Sequence, residues 1–155
     1  MRVGHGFDVH RYSDDPGRVL VLGGVAFPGE RGLEGHSDAD VVTHAVIEAL
    51  LGAAGLGDIG EMFPDTDPAH EGAESVDLLR RAVSRLATEG WHPVNVDCSV
   101  VLDTPKLAPR KAEISTILSD AVGAPVGIKG RRSEGLGAVG RGEGVAAWAV
   151  ALVTR

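Results

Sequence analysis

Asp8 and His10 stand two residues apart in the opening segment Gly4-His5-Gly6-Phe7-Asp8-Val9-His10, and His44 follows the run His36-Ser37-Asp38-Ala39-Asp40. One carboxylate and two imidazoles drawn from separate segments suit a zinc that keeps its fourth position open, the catalytic pattern and not the closed structural one. A substrate oxygen can bind at that open position. Asp40 is expected to serve as a hydrogen-bond acceptor that orients a ligand imidazole. Taken alone, His44 reads as a solvated surface histidine; Asp8 and His10 are what turn the reading toward a ligand. His5 falls on the apolar side of its strand and is expected inside the protein, whereas His70 and His92 read as loop residues. His70-Glu71 opens like a zincin helix, but the second histidine of that motif would fall at Glu74, so the protease reading fails.

No nucleophile stands out. Gly35-His36-Ser37-Asp38-Ala39 lacks the final glycine of a nucleophile elbow, and no strand directly precedes the serine. Ser37 is expected to cap a helix, either for that purpose alone or while also donating to a bound anion. Cys98 alternates with valines and reads as a buried, inert thiol. Gly135-Leu136-Gly137-Ala138-Val139-Gly140 matches the dinucleotide fingerprint in letters, yet leads into a strand and not a helix. The surrounding segment, with Lys129, Arg131, Arg132 and Arg141, is either a solvated basic loop or a phosphate cradle.

These residues must be positioned by a chain of 155 residues, which fits one domain, 1–155, able to bury about 70% of its unfolded surface. Aromatic residues make up only 4%, so the core rests on small aliphatic side chains in closely packed layers. A net charge of -7 argues against general nucleic-acid binding. One cysteine excludes an internal disulfide, and the lack of a long apolar run argues against a membrane span; a reducing cytoplasm is the simplest expected location.

Residues 2 to 10 alternate as a strand, which points Asp8 and His10 the same way. Gly23-Gly24 joins two short strands as a hairpin. Ser37 and Asp40 resemble a capping box ahead of an amphipathic helix through Ala53, in which His44 lies opposite the apolar stripe. Residues 55 to 74 read as a long loop, and Ser75 caps a second helix that Gly90 stops. A strand from Val94, a helix opened by Pro109, a strand at Val126 to Lys129 and a last strand at Val145 to Val153 follow. The order is β, hairpin, α, α, β, α, β, β, an α/β chain of the α+β type.

These segments together resemble the 2-C-methyl-D-erythritol 2,4-cyclodiphosphate synthases, the cyclising enzymes of the non-mevalonate isoprenoid pathway. The likeness rests on the two motifs above, His44, Leu56-Gly57-Asp58-Ile59-Gly60, Phe63-Pro64-Asp65-Thr66-Asp67-Pro68, Pro105-Lys106 and Gly140-Arg141-Gly142-Glu143-Gly144, spread over essentially the whole chain. It implies a mixed β-sheet with helices on one face and a small hairpin, assembled as a homotrimer around a central cavity with active sites between adjacent subunits. By the same resemblance, Asp8, His10 and His44 bind zinc. His36, Ser37, Asp58, Gly60 and Asp65 hold the methylerythritol phosphate, and Phe63 and Asp67 shape that loop. Lys106, Arg131, Arg132, Ser133 and Glu134 receive the cytidine diphosphate, Glu134 through a magnesium that manganese can replace. His36 and Arg132 take catalytic positions, and Arg141 and Glu143 face the trimer axis, where a central cavity near Ala138 accepts a prenyl diphosphate.

One segment departs from the family pattern. Lys129-Gly130-Arg131-Arg132-Ser133-Glu134 carries arginines where consecutive threonines are usual, and Ala138 stands where phenylalanine is common. Two other readings stay open on the residues: a zinc hydrolase acting on a phosphorylated small molecule, and a non-catalytic trimer that binds prenyl diphosphates.

Overall fold

A computed structural model describes all 155 residues. Strand β1 (Arg2–Arg11) leads into the hairpin β2 (Val19–Leu22) and β3 (Val25–Arg31), then helix α1 (Val41–Ala54). The stretch read as a long loop contains a single helical turn, α2 (Ile59–Met62), and a 3-10 turn at Pro68–His70. Helix α3 (Ser75–Thr88), strand β4 (His92–Val101), helix α4 (Lys111–Val122) and strand β5 (Val126–Arg131) follow. A helical turn α5 (Gly137–Gly140) precedes strand β6 (Gly144–Thr154), so the glycine fingerprint does open one helical turn before the strand. His92 opens β4 opposite Thr154, where a loop residue was expected.

The main sheet has the order β1-β6-β4-β5, with β1/β6 and β6/β4 antiparallel and β4/β5 parallel. One face is buried through Val145, Ala147, Ala149, Ala151 and Val153 of β6, Val96, Cys98 and Val100 of β4, and Val126 and Ile128 of β5. The helices cover that face, chiefly α1 over β1 and β6 and α4 over β5. The expected mixed sheet with helices on one side and a separate hairpin is therefore present.

The polarity of β1 is the reverse of the expected one. Gly4, Gly6, Asp8 and His10 turn inward, while Val3, His5, Phe7 and Val9 turn out, so His5 is exposed and not an interior residue. Packing explains the inversion. A Cβ at Gly4 would lie 2.0 Å from the Ala49 carbonyl oxygen, and one at Gly6 2.0 Å from that of Ala45. Backbone rests directly on α1 there, which only glycine permits.

Helix α1 is buried nearly all round, with only Glu48 and Gly52 reaching the surface. Such a helix has no solvent face to assign a residue to. His44 is accordingly 8% exposed, contrary to the expectation that it lies opposite the apolar stripe. The cap of α1 is Asp40 and not Ser37: the Asp40 carboxylate accepts from the amides of Val42 and Thr43. It also accepts from the amides of Gly23 and Gly24 and from the Thr43 hydroxyl, tying the hairpin turn to the helix. Burial, with the charge of Asp38 nearby, pushes the Asp40 carboxyl above its ordinary range, against the pull of its Thr43, Gly23 and Gly24 donors. Five donors make a carboxylate tolerable at zero exposure. With those oxygens committed, Asp40 orients no ligand imidazole.

Candidate metal centre

The inward side of β1 and the buried α1 bring three donors together. His10 Nε2 is 3.0 Å from Asp8 Oδ2, His44 Nδ1 is 3.1 Å from the same oxygen, and the two nitrogens are 3.3 Å apart. Zinc bonds of about 2.0–2.1 Å in a tetrahedron put neighbouring donors roughly 3.3 Å apart, so the triangle fits such an ion and leaves a fourth corner free. No other group of three or more histidine, cysteine or acidic side chains in the chain comes together in this way.

The local charges suit a cation. Burial pushes the Asp8 carboxyl up, but the hydrogen bonds and charges of His10 and His44 outweigh it and hold Asp8 well below the usual carboxylate range. For His10, burial lowers the pKa, yet the Asp8 carboxylate and the Glu34 carbonyl raise it above the ordinary histidine value. His10 Nδ1 lies 2.6 Å from the Glu34 carbonyl oxygen and donates to it, which leaves Nε2 toward Asp8 and His44. Arg18 holds this loop: its guanidinium donates to the carbonyls of Leu33 and Gly35, at 2.6 and 2.7 Å, and to that of Ser37.

The triad lies in the wall of a cavity of about 470 Å³, together with His36, Ser37, Gly60, Phe63 and Asp65 of the expected site. Asp58 and Asp67 do not line it. Asp58 caps α2 by accepting the Glu61 amide, and Asp67 caps the 3-10 turn by accepting the Ala69 amide. Both carboxylates are committed to short turns, which explains the difference. The Asp67 carbonyl stands 3.3 Å from His36 Nε2.

Three contributors went unrecognised in the sequence. His70 is buried, lines the cavity, and meets Phe63 edge-on at 5.5 Å, with no partner for its Nδ1; the 3-10 turn folds it inward, contrary to the loop reading. Ser75 is fully buried and places its hydroxyl 2.8 Å from His44 Nε2. It does not cap α3; Asp38 does that from another segment, accepting both the Ser75 amide and the Ser75 hydroxyl. Helix-start serines and aspartates are read first as caps, so only the cross-chain pairing reveals these two.

A second cavity, of about 260 Å³, lies beside the other edge strand, β5. Lys106, Lys111, Arg131 and Arg132 line it and form no ion pair, whereas Lys129 is bound to Asp97. The one carboxylate in its wall, Asp103, accepts from the Ser133 hydroxyl and amide at 2.6 and 3.1 Å, which hold its carboxyl below the ordinary range. Ser133 is thereby occupied within the loop. Glu134 adopts a left-handed backbone (φ +55°) outside the cavity wall, Ala138 sits in α5, and Arg141 pairs with Glu143 at 2.6 Å. Cys98 is buried beneath the sheet, and burial pushes its thiol up to about 12, in keeping with an inert role.

A mixed α/β domain that gathers an aspartate and two histidines in a cavity wall has the makings of a divalent-metal enzyme. The sequence pattern of the YgbB family matches residues 1–154. The 2-C-methyl-D-erythritol 2,4-cyclodiphosphate synthase of Symbiobacterium thermophilum is 55% identical over 160 residues, covering 99% of this chain and 98% of the relative. The enzyme of the same name from Azoarcus sp. strain BH72 is 52% identical, covering 100% and 96%. A solved 2C-methyl-D-erythritol-2,4-cyclodiphosphate synthase in a CDP-bound form superposes with a TM-score of 0.88 at 38% identity, over 99% of this chain and all of that one. The bifunctional IspDF of Campylobacter jejuni gives a TM-score of 0.92 at 37% identity, and there this chain spans only 42% of the larger protein. The chain belongs to the YgbB family, that of the cyclodiphosphate synthases, and is an enzyme of their lyase type.

Proposed function

We propose that the chain converts 4-diphosphocytidyl-2-C-methyl-D-erythritol 2-phosphate to 2-C-methyl-D-erythritol 2,4-cyclodiphosphate. The observation that carries this reading is the Asp8, His10 and His44 triangle in one cavity wall of a chain from this family. The 2-phosphate oxygen attacks the β-phosphorus of the substrate's own diphosphate, the bond from that phosphorus to the oxygen of CMP breaks, and CMP leaves with its electron pair. Both reacting groups are already in one molecule, so no protein nucleophile is needed. Holding them in line is worth on the order of 7–11 kcal/mol.

Zinc at Asp8, His10 and His44, with magnesium or manganese near Glu134, would supply Lewis acidity toward the phosphoryl oxygens. His36 and Ser37, beside Gly60, Phe63 and Asp65 in the same wall, would position the methylerythritol phosphate. Asp58 and Asp67 would shape that loop through their caps. Lys106, Arg131 and Arg132 would take the diphosphate arm, and Arg132 would bind the departing phosphates in place of a threonine hydroxyl. Ser133 would act through its bonds to Asp103.

The metal cavity sits by edge strand β1 and the cationic cavity by edge strand β5, and they share no lining residue. This supports a complete site built from two copies. Val3, Phe7, Val9, Trp148 and Val150 form an exposed apolar patch on the outer face of β1 and β6, with Phe7 and Trp148 rings 5.0 Å apart, which supports a homotrimer closed through that face. Ala138 and Arg141 would then border the central cavity and a prenyl diphosphate there. We read the chain as one domain, working in the cytoplasm without nucleic acid or membrane; no helix is long and apolar enough to cross a bilayer.

The test is product analysis with the cytidylylated substrate, zinc and magnesium. The cyclase reading requires one CMP and one cyclic diphosphate per substrate, with no oxygen taken from labelled water. Label in the product would point to a hydrolase, and no CMP at all to a binding protein.

A further inference from the structure

The metal ligand His44 is useful only if its Nδ1 carries a lone pair, and a neutral imidazole places its single proton on one nitrogen or the other. The surroundings of His44 determine which. Asp38, as a carboxylate, can only accept hydrogen bonds, and it takes the Ser75 hydroxyl at one oxygen and the Ser75 amide, 3.0 Å away, at the other. The one hydroxyl proton of Ser75 is thereby committed. Its oxygen meets His44 Nε2 at 2.8 Å with lone pairs alone, so the proton in that contact belongs to the histidine.

We infer that Asp38 and Ser75 are positioning residues that keep a proton on His44 Nε2, so that Nδ1, which faces the Asp8 carboxylate at 3.1 Å, is the nitrogen offered to the metal. The inference rests on the zinc reading of the triad. His10 is fixed the opposite way, since its Nδ1 donates to the Glu34 carbonyl and leaves Nε2 for the ion. Two imidazoles thus bind through different nitrogens, each set by its own partner. Ser37 Oγ lies 3.2 Å from His44 Nε2 but accepts the Ala39 amide, and a protonated Nε2 cannot take its hydroxyl proton. The Ser37 proton can go to Ser75 Oγ, 3.5 Å away, or into the cavity that Ser37 lines.

Asp38→Asn reverses the relay at nearly constant shape. With the carboxamide oxygen on the Ser75 amide, the shorter of the two amide contacts at 3.0 Å, the –NH2 faces the Ser75 hydroxyl and donates to it, at the expense of the Asp40 amide that the other carboxylate oxygen accepts at 3.2 Å. Ser75 then turns its proton to His44 Nε2, and the ring proton moves to Nδ1, where it blocks the ion. Nitrogen-15 NMR of the metal-free protein reads the tautomer, and competition against a chelator reads zinc affinity. The expected results are Nε2–H in the wild type, Nδ1–H in Asp38→Asn, and zinc affinity lower by roughly 10–100-fold in Asp38→Asn and Ser75→Ala, with recovery in Ser75→Thr. A wild-type His44 whose Nε2 carries no proton overturns the inference without any variant, as does an Asp38→Asn protein that keeps both the Nε2 proton and the affinity. If the wild type binds no zinc, the cofactor reading fails, and the tautomer spectra still decide the relay.

Discussion

Gly6→Ala tests whether the metal triad depends on direct contact between backbone and helix. The added Cβ would lie 2.0 Å from the Ala45 carbonyl oxygen and 2.6 Å from the Ala49 amide nitrogen, where ordinary contact begins at 3.4 Å. Neither neighbour is a flexible side-chain end. Relief therefore requires β1 and α1 to separate by about 1.4 Å near Gly6, two residues before Asp8. Such overpacking costs about 1–3 kcal/mol, or a fall in melting temperature of roughly 2–12 °C for a domain of this size. The larger effect is on the ion, because Asp8 and His10 move with β1 while His44 stays on α1. Metal–ligand distances tolerate about 0.2 Å, so zinc content should fall well below one ion per chain. Gly52→Ala is the control: its Cβ would meet only the His5 carbonyl oxygen, at 3.9 Å, and removing a mid-helix glycine should stabilise the protein by up to about 1 kcal/mol. The assays are calorimetric melting and metal analysis of purified, zinc-equilibrated protein. A Gly6→Ala protein within 0.5 °C of wild type and fully zinc-loaded would refute the reasoning.

His44→Ala should abolish stoichiometric zinc and turnover; a purified variant that keeps one zinc per chain would remove His44 from the ligand set. In the metal-free protein, the raised pKa of His10 contributes stability that is complete below the ordinary 6.5 and is lost as pH rises through the folded-state value. The lowered pKa of Asp8 contributes stability present above the ordinary 3.8 and lost as pH falls. Chelated protein should therefore gain most from this pair between those two values, while zinc, which needs His10 deprotonated, should bind more tightly as pH rises; denaturation midpoints with chelator and with zinc at pH 5 and pH 8 check both, and a pH-independent zinc affinity contradicts the second. Arg132→Thr should slow CMP release by at least tenfold if the guanidinium holds the departing phosphates; unchanged or faster release would end that assignment.

The cluster of Asp8, His10 and His44 was legible because its chemistry lies in residue types, and strand alternation correctly put Asp8 and His10 on one side. The side itself was misread. Glycine carries no hydropathy signal, so the outward row of Val3, Phe7 and Val9 looked like the core, although Gly4 and Gly6 make the closer contact with α1. The burial of His44 was hidden for a related reason: α1 is enclosed on nearly every side, and a periodicity argument needs a solvent face to work against. Asp38 and Ser75 escaped notice because their roles depend on segments 31 to 37 residues apart meeting in space, and His70 because a 3-10 turn inside an apparent loop folds it inward.

The segment from Leu33 to Asp40 has almost no regular structure, yet it carries His36, Ser37 and the carbonyl that sets His10. Three charged side chains compensate for that irregularity. Arg18 satisfies three of its carbonyls, Asp40 gathers five donors from the helix start and the hairpin turn, and Asp38 ties it to the first residue of α3. None of the three is a metal ligand. Each spends its charge on polar groups that would otherwise be buried without partners, a substantial cost where water is excluded. The rigidity of the site therefore comes less from the strand and helix that supply its ligands than from ionic side chains that fasten the loop between them. Neutralising Arg18 should accordingly disturb the geometry of His10 through Glu34, although Arg18 touches none of Asp8, His10 and His44.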